Sequence, residues 1–310
     1  MAVSLYDVLQ YGAIRTITAV AQALPYGVAV GFARRLADLA YLLDGRHRKV
    51  AMSNLTMAFG TEKDEREIRR ITRGVYRHLF MSAVELLLVR RRLRQENWRD
   101  HIVLNNEEGV MAAREQGKGI IFLTGHVGNW ELMGVALSGF WIRLSSVARP
   151  LGNPLLDRYV MGFRKSFGQN IIEKKGALRA MSRTLRNGGA AVFVADQNVR
   201  HSGIFVDFFG KPASTSTGFA LLARQFGCPV VTAFCRRVGT YRFEVDYGDP
   251  IYPDPGLTRD EDLERIVTVC TSRLEETIRK APDQWLWLHR RWKTRPRTEE
   301  SGVEGRVALA

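Results

Sequence analysis

The 310-residue chain reads as an α/β protein, with a central, mostly parallel sheet flanked by helices. Three observations predict this. The apolar runs 120–123 (IIFL) and 190–195 (AAVFVA) are too short for helices and have the pattern of strands buried on both faces. Stretches of helical period separate them, the alternation that builds a parallel sheet covered on both sides. The runs end in polar residues, as strands do where such sheets bind ligands beyond their carboxyl ends.

The amino-terminal region, 1–50, is expected to form apolar and basic membrane-associating helices. Its run 14–30 has 17 residues and one arginine, Arg15, against about 20 apolar residues for a spanning helix. A helix lying in the membrane interface fits equally well, and a buried helical hairpin is the alternative. Arg34-Arg35 and Arg46-His47-Arg48-Lys49 follow, where basic residues meet anionic headgroups on a cytoplasmic face. Residues 1–9 carry an aspartate and no basic start, so no secretory signal is expected.

The main domain is expected over 51–298 and a loose tail over 299–310. Thr61 is the expected N-cap of a helix over 62–89, with Ile68, Ile71, Val75, Leu79 and Ser82 at helical spacing. Four arginines within 90–94 are either a solvated face or a local anion site. Helices are expected over 105–116, 130–138, 153–167, 177–186, 215–226 and 259–280. Strands are expected over 120–123, 143–148, 170–172, 190–195, 229–234 and 241–245.

Forty-six Lys and Arg against 32 Asp and Glu give a net charge of +14. That excess implies a polyanionic partner: nucleic acid, an anionic membrane or an acidic carrier protein. Cys228, Cys235 and Cys270 have neither metal-ligand spacing nor an even disulfide set, and read as buried small residues in a reducing compartment. No metal site is expected.

The chemistry concentrates at strand ends. GIIFLTGHVGNWE, 119–131, places His126 just after a strand and Glu131 in the helix that follows. On one helix the two would point roughly 140° apart. With His126 on the strand-to-helix turn they can meet, and a carboxylate holding one tautomer prepares an imidazole to deprotonate a hydroxyl. Gly128 and Asn129 leave room for that turn. Arg149 and the Asp196-Gln197-Asn198 run end two further strands, where Arg149 can clamp an oxyanion or phosphate and Asp196 can hold the arginine or a substrate hydroxyl. Lys211 precedes a hydroxyl-rich run, 213–218, expected as a helix N-terminus that binds an anion. Residues 282–296 (PDQWLWLHRRWKTRP) interleave tryptophan with basic residues, and without a nucleic-acid motif they read as a membrane-interface belt.

Taken in order, RKVAMSNLTMAF (48–59), GHVGNWE (125–131), ARPLGNPLLD (148–157), ADQN (195–198), FVDFFGKPASTSTG (205–218) and the 282–296 segment cover almost the whole chain. In them the sequence resembles the bacterial lipid A late acyltransferases (lauroyl/myristoyl) of the lysophospholipid acyltransferase superfamily, and their relatives that acylate phosphatidylinositol mannosides. The resemblance implies a glycerolipid-acyltransferase-like fold and an enzyme at the cytoplasmic face of the bacterial inner membrane. It implies transfer of a fatty acyl chain from acyl carrier protein or coenzyme A to a glycolipid hydroxyl, with no cofactor beyond that co-substrate. It makes His126 the general base and Glu131 the residue that orients and charges it, with alanine at either abolishing transfer. Gly128, Asn129, Arg149, Asp196, Gln197 and Lys211 are then the expected substrate-binding residues. Expected partners are anionic lipids and the acidic carrier, docked by 90–94 or 290–293, and no nucleic acid. Asn198 departs from the pattern, since the lipid A enzymes often carry an acidic residue there.

Two rival functions carry their own expectations. A charge-driven scaffold would not depend on His126. A hydrolase would use the same histidine on water, although no G-x-S-x-G elbow is present.

Overall fold

The computed structural model describes residues 3–173, 176–201 and 203–296. The tail expected over 299–310 lies outside the described residues. Three helices lead the chain: α1 (Leu5–Ala23), α2 (Tyr26–Leu43) and α3 (Gly45–Phe59), followed by the long α4 (Glu65–Leu87). Two single turns, α5 (Val89–Arg92) and α6 (Trp98–His101), lead to β1 (Ile102–Asn105) and α7 (Glu107–Glu115). The alternating part runs β2 (Ile120–Thr124), α8 (Trp130–Phe140), β3 (Leu144–Ala148), α9 (Pro154–Lys165), β4 (Asn170–Glu173), α10 (Ala177–Arg186) and β5 (Ala190–Val194). A hairpin of β6 (Gly203–Phe208) and β7 (Lys211–Ser216) precedes α11 (Gly218–Phe226), β8 (Val230–Gly239), β9 (Arg242–Tyr247) and α12 (Arg259–Lys280).

Seven strands form one sheet in the order β1-β9-β8-β2-β5-β3-β4. Every neighbouring pair is parallel except β8 with β9. Central β2 shows why its first four residues are apolar. Ile120 and Phe122 enter the core on one face with α8, while Ile121 and Leu123 enter the core on the other with α10, α11 and α12. A third core gathers α3, α4, the hairpin and the tryptophans near the carboxyl end.

The amino-terminal apolar run is cut by Pro25, which ends one helix and starts the next. Among the described residues no helix is long and apolar enough to cross a membrane. The boundary expected at residue 50 falls inside α3. α2 is tied to α4 by Asp38, which accepts from both Arg73 and Arg77.

Two local expectations are corrected, and one strand appears where none is expected. Asp64, not Thr61, caps α4 by accepting from the Glu67 amide, because residues 60–63 are used in the turn that closes α3. Residues 102–105 form an edge strand, too short to show a period. The hydroxyl run after Lys211 is a strand rather than a helix start. Phe209 and Gly210, at φ +57° and +67°, make the two-residue turn that pairs Phe208 with Lys211. Thr217, at the N-cap position of α11, makes no side-chain cap.

Candidate active site

β2 and β5 are parallel neighbours in register, from Ile120 opposite Ala190 to Thr124 opposite Val194. That register continues past both strand ends, where the Ala195 amide donates to Thr124 O at 3.2 Å. Two residues beyond each strand it sets His126 beside Asp196. The His126 ring meets Asp196 Oδ1 through Nδ1 at 2.7 Å, and the His126 amide donates to Asp196 Oδ2 at 2.6 Å. Trp285 Nε1 donates to the same Oδ2 at 2.9 Å. With Nδ1–H donated to the carboxylate, Nε2 carries the lone pair and is free to act as a base.

The charges fit that role. Burial alone would raise the Asp196 carboxyl, but the His126 hydrogen bond and nearby imidazoles outweigh it and hold the pKa at about 2. Burial opposes a charge on His126 too. The hydrogen bond and charge of Asp196, with the Glu131 charge, overcome it and raise the imidazole above its ordinary value.

The residues carboxyl-terminal to α12 strap this turn in place. Leu286 N donates to His126 O at 3.0 Å, and Gly128 N donates to Gln284 O at 2.7 Å. Trp285 and Trp287 are fully buried, and Trp292 nearly so. Arg291, also buried, donates to Ser214 O and Thr215 Oγ1. The tryptophan-rich stretch expected to lie in a membrane interface is therefore core, the floor under the His126 turn.

Gly128 and Asn129 support the turn and do not line the cleft. Gly128 has φ +56°, and a Cβ there would stand 1.4 Å from Cys235 O, so only glycine fits. Asn129 caps α8 by accepting from Leu132 N at 3.1 Å. Its amide group donates to Ser82 O and Glu85 Oε2, deep inside the protein. Glu85 is wholly buried and paired with Arg237, at 2.6 and 2.7 Å. His78 completes the network. Burial, then the Arg237 charge, lowers its pKa to about 3, so the neutral ring accepts from Arg237 at Nδ1 and donates from Nε2 to Gly128 O.

A cleft of about 550 Å³ opens beside His126. One helix face, Trp130, Met133, Gly134 and Leu137 of α8, forms one wall at helical spacing. The sheet face from Phe122, Leu144, Ser146 and Val192 forms another. Its polar lining is His126, Glu131, Arg149, Arg164 and Gln197, with Thr124, Ser146 and Gln169. Arg164 of α9 forks Glu131, at 2.6 and 3.1 Å. The ring partner expected in Glu131 is thus Asp196, while Glu131 contributes charge and holds the arginine. A larger hollow of about 800 Å³ lies at the other ends of the strands, lined by Ile120, Ala190 and Asn170, but it contains no histidine or carboxylate.

Two cationic expectations are displaced. Lys211 is exposed at the start of β7 and does not line the cleft. The arginines of 90–94 are largely engaged within the protein. Arg90 stacks over Phe163 and Phe167, Arg91 donates to Gln22 O, and Arg92 lies over Tyr26 and Tyr241. All three cysteines are buried and free, and burial pushes Cys235 up to about 12, far from a reactive thiolate.

Sequence reasoning missed Arg164, Glu85, Arg237, His78 and the hydrogen bond from Trp285. Arg164 sits on an amphipathic helix among other basic residues, so no local signal marks it. Glu85 carried one signal: a lone carboxylate one turn from buried Met81 near the end of α4.

An imidazole oriented by a buried carboxylate, at the strand ends of a mostly parallel sheet and beside an apolar cleft, is equipped to take a proton from a hydroxyl held there. Residues 4–294 match the model of the bacterial lipid A biosynthesis acyltransferase family, and the chain belongs to that family. It is an acyltransferase. It is 28% identical to the lipid A biosynthesis lauroyltransferase of Escherichia coli over 279 residues, covering 88% of each chain. It is 26% identical to the phosphatidylinositol mannoside acyltransferase of Mycobacterium tuberculosis over 194 residues, covering 61% of this chain and 60% of that one. The solved 1-acyl-sn-glycerophosphate acyltransferase of Thermotoga maritima is similar at a TM-score of 0.41 and 16% identity, covering 81% of this chain and 98% of that one.

Proposed function

We propose that the protein moves a fatty acyl chain from a thioester, on acyl carrier protein or coenzyme A, to a hydroxyl of a membrane glycolipid, a late lipid A precursor first among them. The observation that carries this reading is the His126–Asp196 pair opening onto an apolar cleft rimmed by Arg149 and Arg164. Nε2 of His126 takes the acceptor's proton as its oxygen attacks the thioester carbonyl. The tetrahedral oxyanion then collapses, the C–S bond breaks, and the imidazolium returns the proton to the departing thiolate. The thiolate is a good leaving group, since thiols ionise near pH 8.5.

Donors for the oxyanion follow from the hydrogen-bond ledger of the turn. The Gly128 amide is taken by Gln284 O and the Leu132 amide by Asn129. The Trp130 and Glu131 amides, first in α8, meet no acceptor among the described residues and supply the helix-start charge. Arg149, at the rim, binds the acceptor's phosphate or the developing charge.

The amino-terminal helices dock on the cytoplasmic face of the inner membrane. Leu5, Tyr6, Leu9 and Ile17 of α1, and Phe32, Leu42 and Leu43 of α2, are large apolar side chains left exposed. Asn153, the cap of α9, donates to Asp7 O and Gln10 Oε1 of α1. The lipid-facing helix therefore adjoins α9, which lines the cleft through Val160, Met161 and Arg164, a short path for a lipid acceptor.

The test is acyl transfer by the purified protein in detergent micelles. Lauroyl and palmitoyl thioesters of both carriers are offered against a panel of glycolipids. Product on a tetra-acylated lipid A precursor, lost in His126→Ala, is expected. Product on a mannosylated inositol lipid alone would move the acceptor to the sister group. Free fatty acid as the sole product would make the enzyme a thioesterase, and turnover independent of His126 would overturn the mechanism.

A further inference from the structure

The hollow at the other ends of the strands plays no part in the chemistry above. In a parallel sheet each crossover returns the chain to the same edge, so the starts of β2, β3, β4 and β5 lie side by side. Ile120 and Ala190 begin two of them in register, and Ser145 of β3 stands opposite Asn170 of β4. The loops that enter these strands rim a hollow of about 800 Å³. A neighbouring hollow of about 540 Å³ continues it, and the two share Arg143 and Gly168.

Its charge is one-sided. Arg114, Arg143 and Lys165 line the first hollow. Among the described residues no carboxylate lines either hollow, and none of the three cations takes part in an ion pair. Arg164, the residue before Lys165, lines the cleft instead and is spent on Glu131. Two polar atoms are also left over. Gln169 Oε1, at the first hollow, and Ser138 Oγ, at the second, are buried without a hydrogen-bond partner among the described residues. Both residues are only 9% exposed. A buried carbonyl oxygen that lacks a donor costs folding free energy, so its retention calls for a partner from outside the chain. The backbone amides of Gly168, Gly188 and Gly189 are already taken, by Lys165 O, Leu185 O and Thr184 O, which leaves recognition to the side chains.

We infer that this hollow binds a phosphorylated polyol, with the phosphate held by Arg114, Arg143 and Lys165 and a hydroxyl donated to Gln169 Oε1. The inference goes beyond acyl transfer and gives the molecule a second ligand site. Guanidinium groups match phosphate oxygens in pairs, and three cations with no acid among them suit such an anion. An amide oxygen can only accept, so a bare anion does not satisfy it and the ligand must carry a donor. A hydroxyl beside the phosphate supplies one. Gln169 also lines the catalytic cleft, where Gly134 makes room for it, since a Cβ at 134 would stand 2.6 Å from Gln169 Nε2. A membrane-lipid headgroup and a free phosphate ester share this chemistry. The second hollow lies close to the bilayer-facing helix: Arg90 lines it, and Arg91 donates to Gln22 O near the end of α1.

Isothermal titration of the full-length protein in an uncharged, phosphate-free detergent reads binding alone, so the result does not depend on turnover. The soluble probes are inorganic phosphate and glycerophosphate. The lipid probes, dispersed in the same micelles, are phosphatidic acid and phosphatidylglycerol, and in each pair the second adds polyol hydroxyls to the phosphate. Arg143→Gln/Lys165→Gln is compared with Arg242→Gln/Arg259→Gln, which removes the same charge from exposed residues that line neither hollow. Gln169→Leu removes the unpartnered acceptor, and thermal melting confirms that all three variants fold. Wild type is expected to prefer the hydroxyl-bearing member of a pair. The hollow variant should lose at least about tenfold in affinity for it, and the control much less. Gln169→Leu should erase the preference while keeping affinity for the phosphate. Binding of the soluble pair would identify a free ester as the ligand, and binding of the lipid pair alone a headgroup; either upholds the site. Equal losses in the two double variants would reduce the effect to net charge and overturn the inference. So would wild type that binds none of the four probes, or a polyol preference that survives Gln169→Leu.

Discussion

Two carboxylates act on the imidazole of His126 from opposite surroundings. Asp196 is completely buried, and its two oxygens accept from the His126 ring, the His126 amide and Trp285. The Glu131 side chain is about a third exposed and is forked by Arg164. Glu131 is five residues from the histidine in sequence, and Asp196 is seventy residues away. The remote residue makes the bond because parallel register delivers it, whereas the near one has been turned along α8 towards α9. A buried, triply bonded anion holds a ring in one orientation. A partly solvated one paired with a guanidinium shapes the cleft and its field.

That comparison breaks most sharply at Asp196. Asp196→Asn keeps the size of the side chain and removes the charge, and kcat for acyl transfer is expected to fall about 10²- to 10⁴-fold. The pH profile carries the sign. His126 must be neutral to accept a proton, so kcat/KM rises with pH through an imidazole pKa raised above the ordinary value of about 6.5. In Asp196→Asn the raising interaction is gone and the acidic limb moves to lower pH. An unmoved limb would show that Asp196 does not set the histidine's basicity. Stability follows the same linkage. The raised His126 contributes stability that is complete below about pH 6.5 and is lost as pH rises through its folded pKa. The depressed Asp196 contributes stability above its unfolded value of about 3.9, lost as pH falls towards about 2.

A smaller effect is expected on the Glu131 side. Glu131→Gln removes the weaker field on His126 and releases one partner of Arg164, and kcat/KM should fall roughly tenfold. The acidic limb should shift less than in Asp196→Asn. Arg164→Gln should cost a similar amount, and the double variant should lose little more than either single change, because the two act as a pair. A Glu131→Gln enzyme as impaired as Asp196→Asn, with the larger pH shift, would reverse the two roles.

What the sequence made legible follows the same division. The apolar runs and their polar ends gave the mostly parallel sheet and the edge where His126, Arg149, Asp196 and Gln197 gather. Those signals are local: burial on both faces leaves no polar residue in β2 before its last, Thr124, and each strand end shows where that rule stops. The pairing of His126 with Asp196 was not legible, since it depends on which strands are neighbours and in what register. Neither was the buried set of Glu85, Arg237 and His78, drawn from helix α4 and strand β8. The hairpin of β6 and β7 was hidden because its hydroxyl-rich strand resembles a helix cap until Phe209 is known to adopt a left-handed turn. The tryptophans misled for a physical reason. Trp beside Arg marks an interface only when both are exposed, and here Arg291 and Trp285 are both buried with hydrogen-bond partners.

The smallest effect sharpens the comparison furthest. Trp285→Phe keeps an aromatic ring among Phe208, Trp287 and His289 but removes the Nε1 donor to Asp196. A hydrogen bond to a buried carboxylate contributes about 2 kcal/mol, so chemical denaturation at neutral pH should show a loss of that order. The rate should fall only a few-fold, since the two donors from His126 still orient the carboxylate. Packing and hydrogen bonding are separated by repeating the substitution in the Asp196→Asn background. If the donor acts through the aspartate's charge, the penalty of Trp285→Phe shrinks there by about 1 kcal/mol, the difference between a charged and a neutral hydrogen bond. If the penalty is unchanged, Trp285 supports the turn by its bulk alone, and the stability of the dyad rests on the register of β2 with β5.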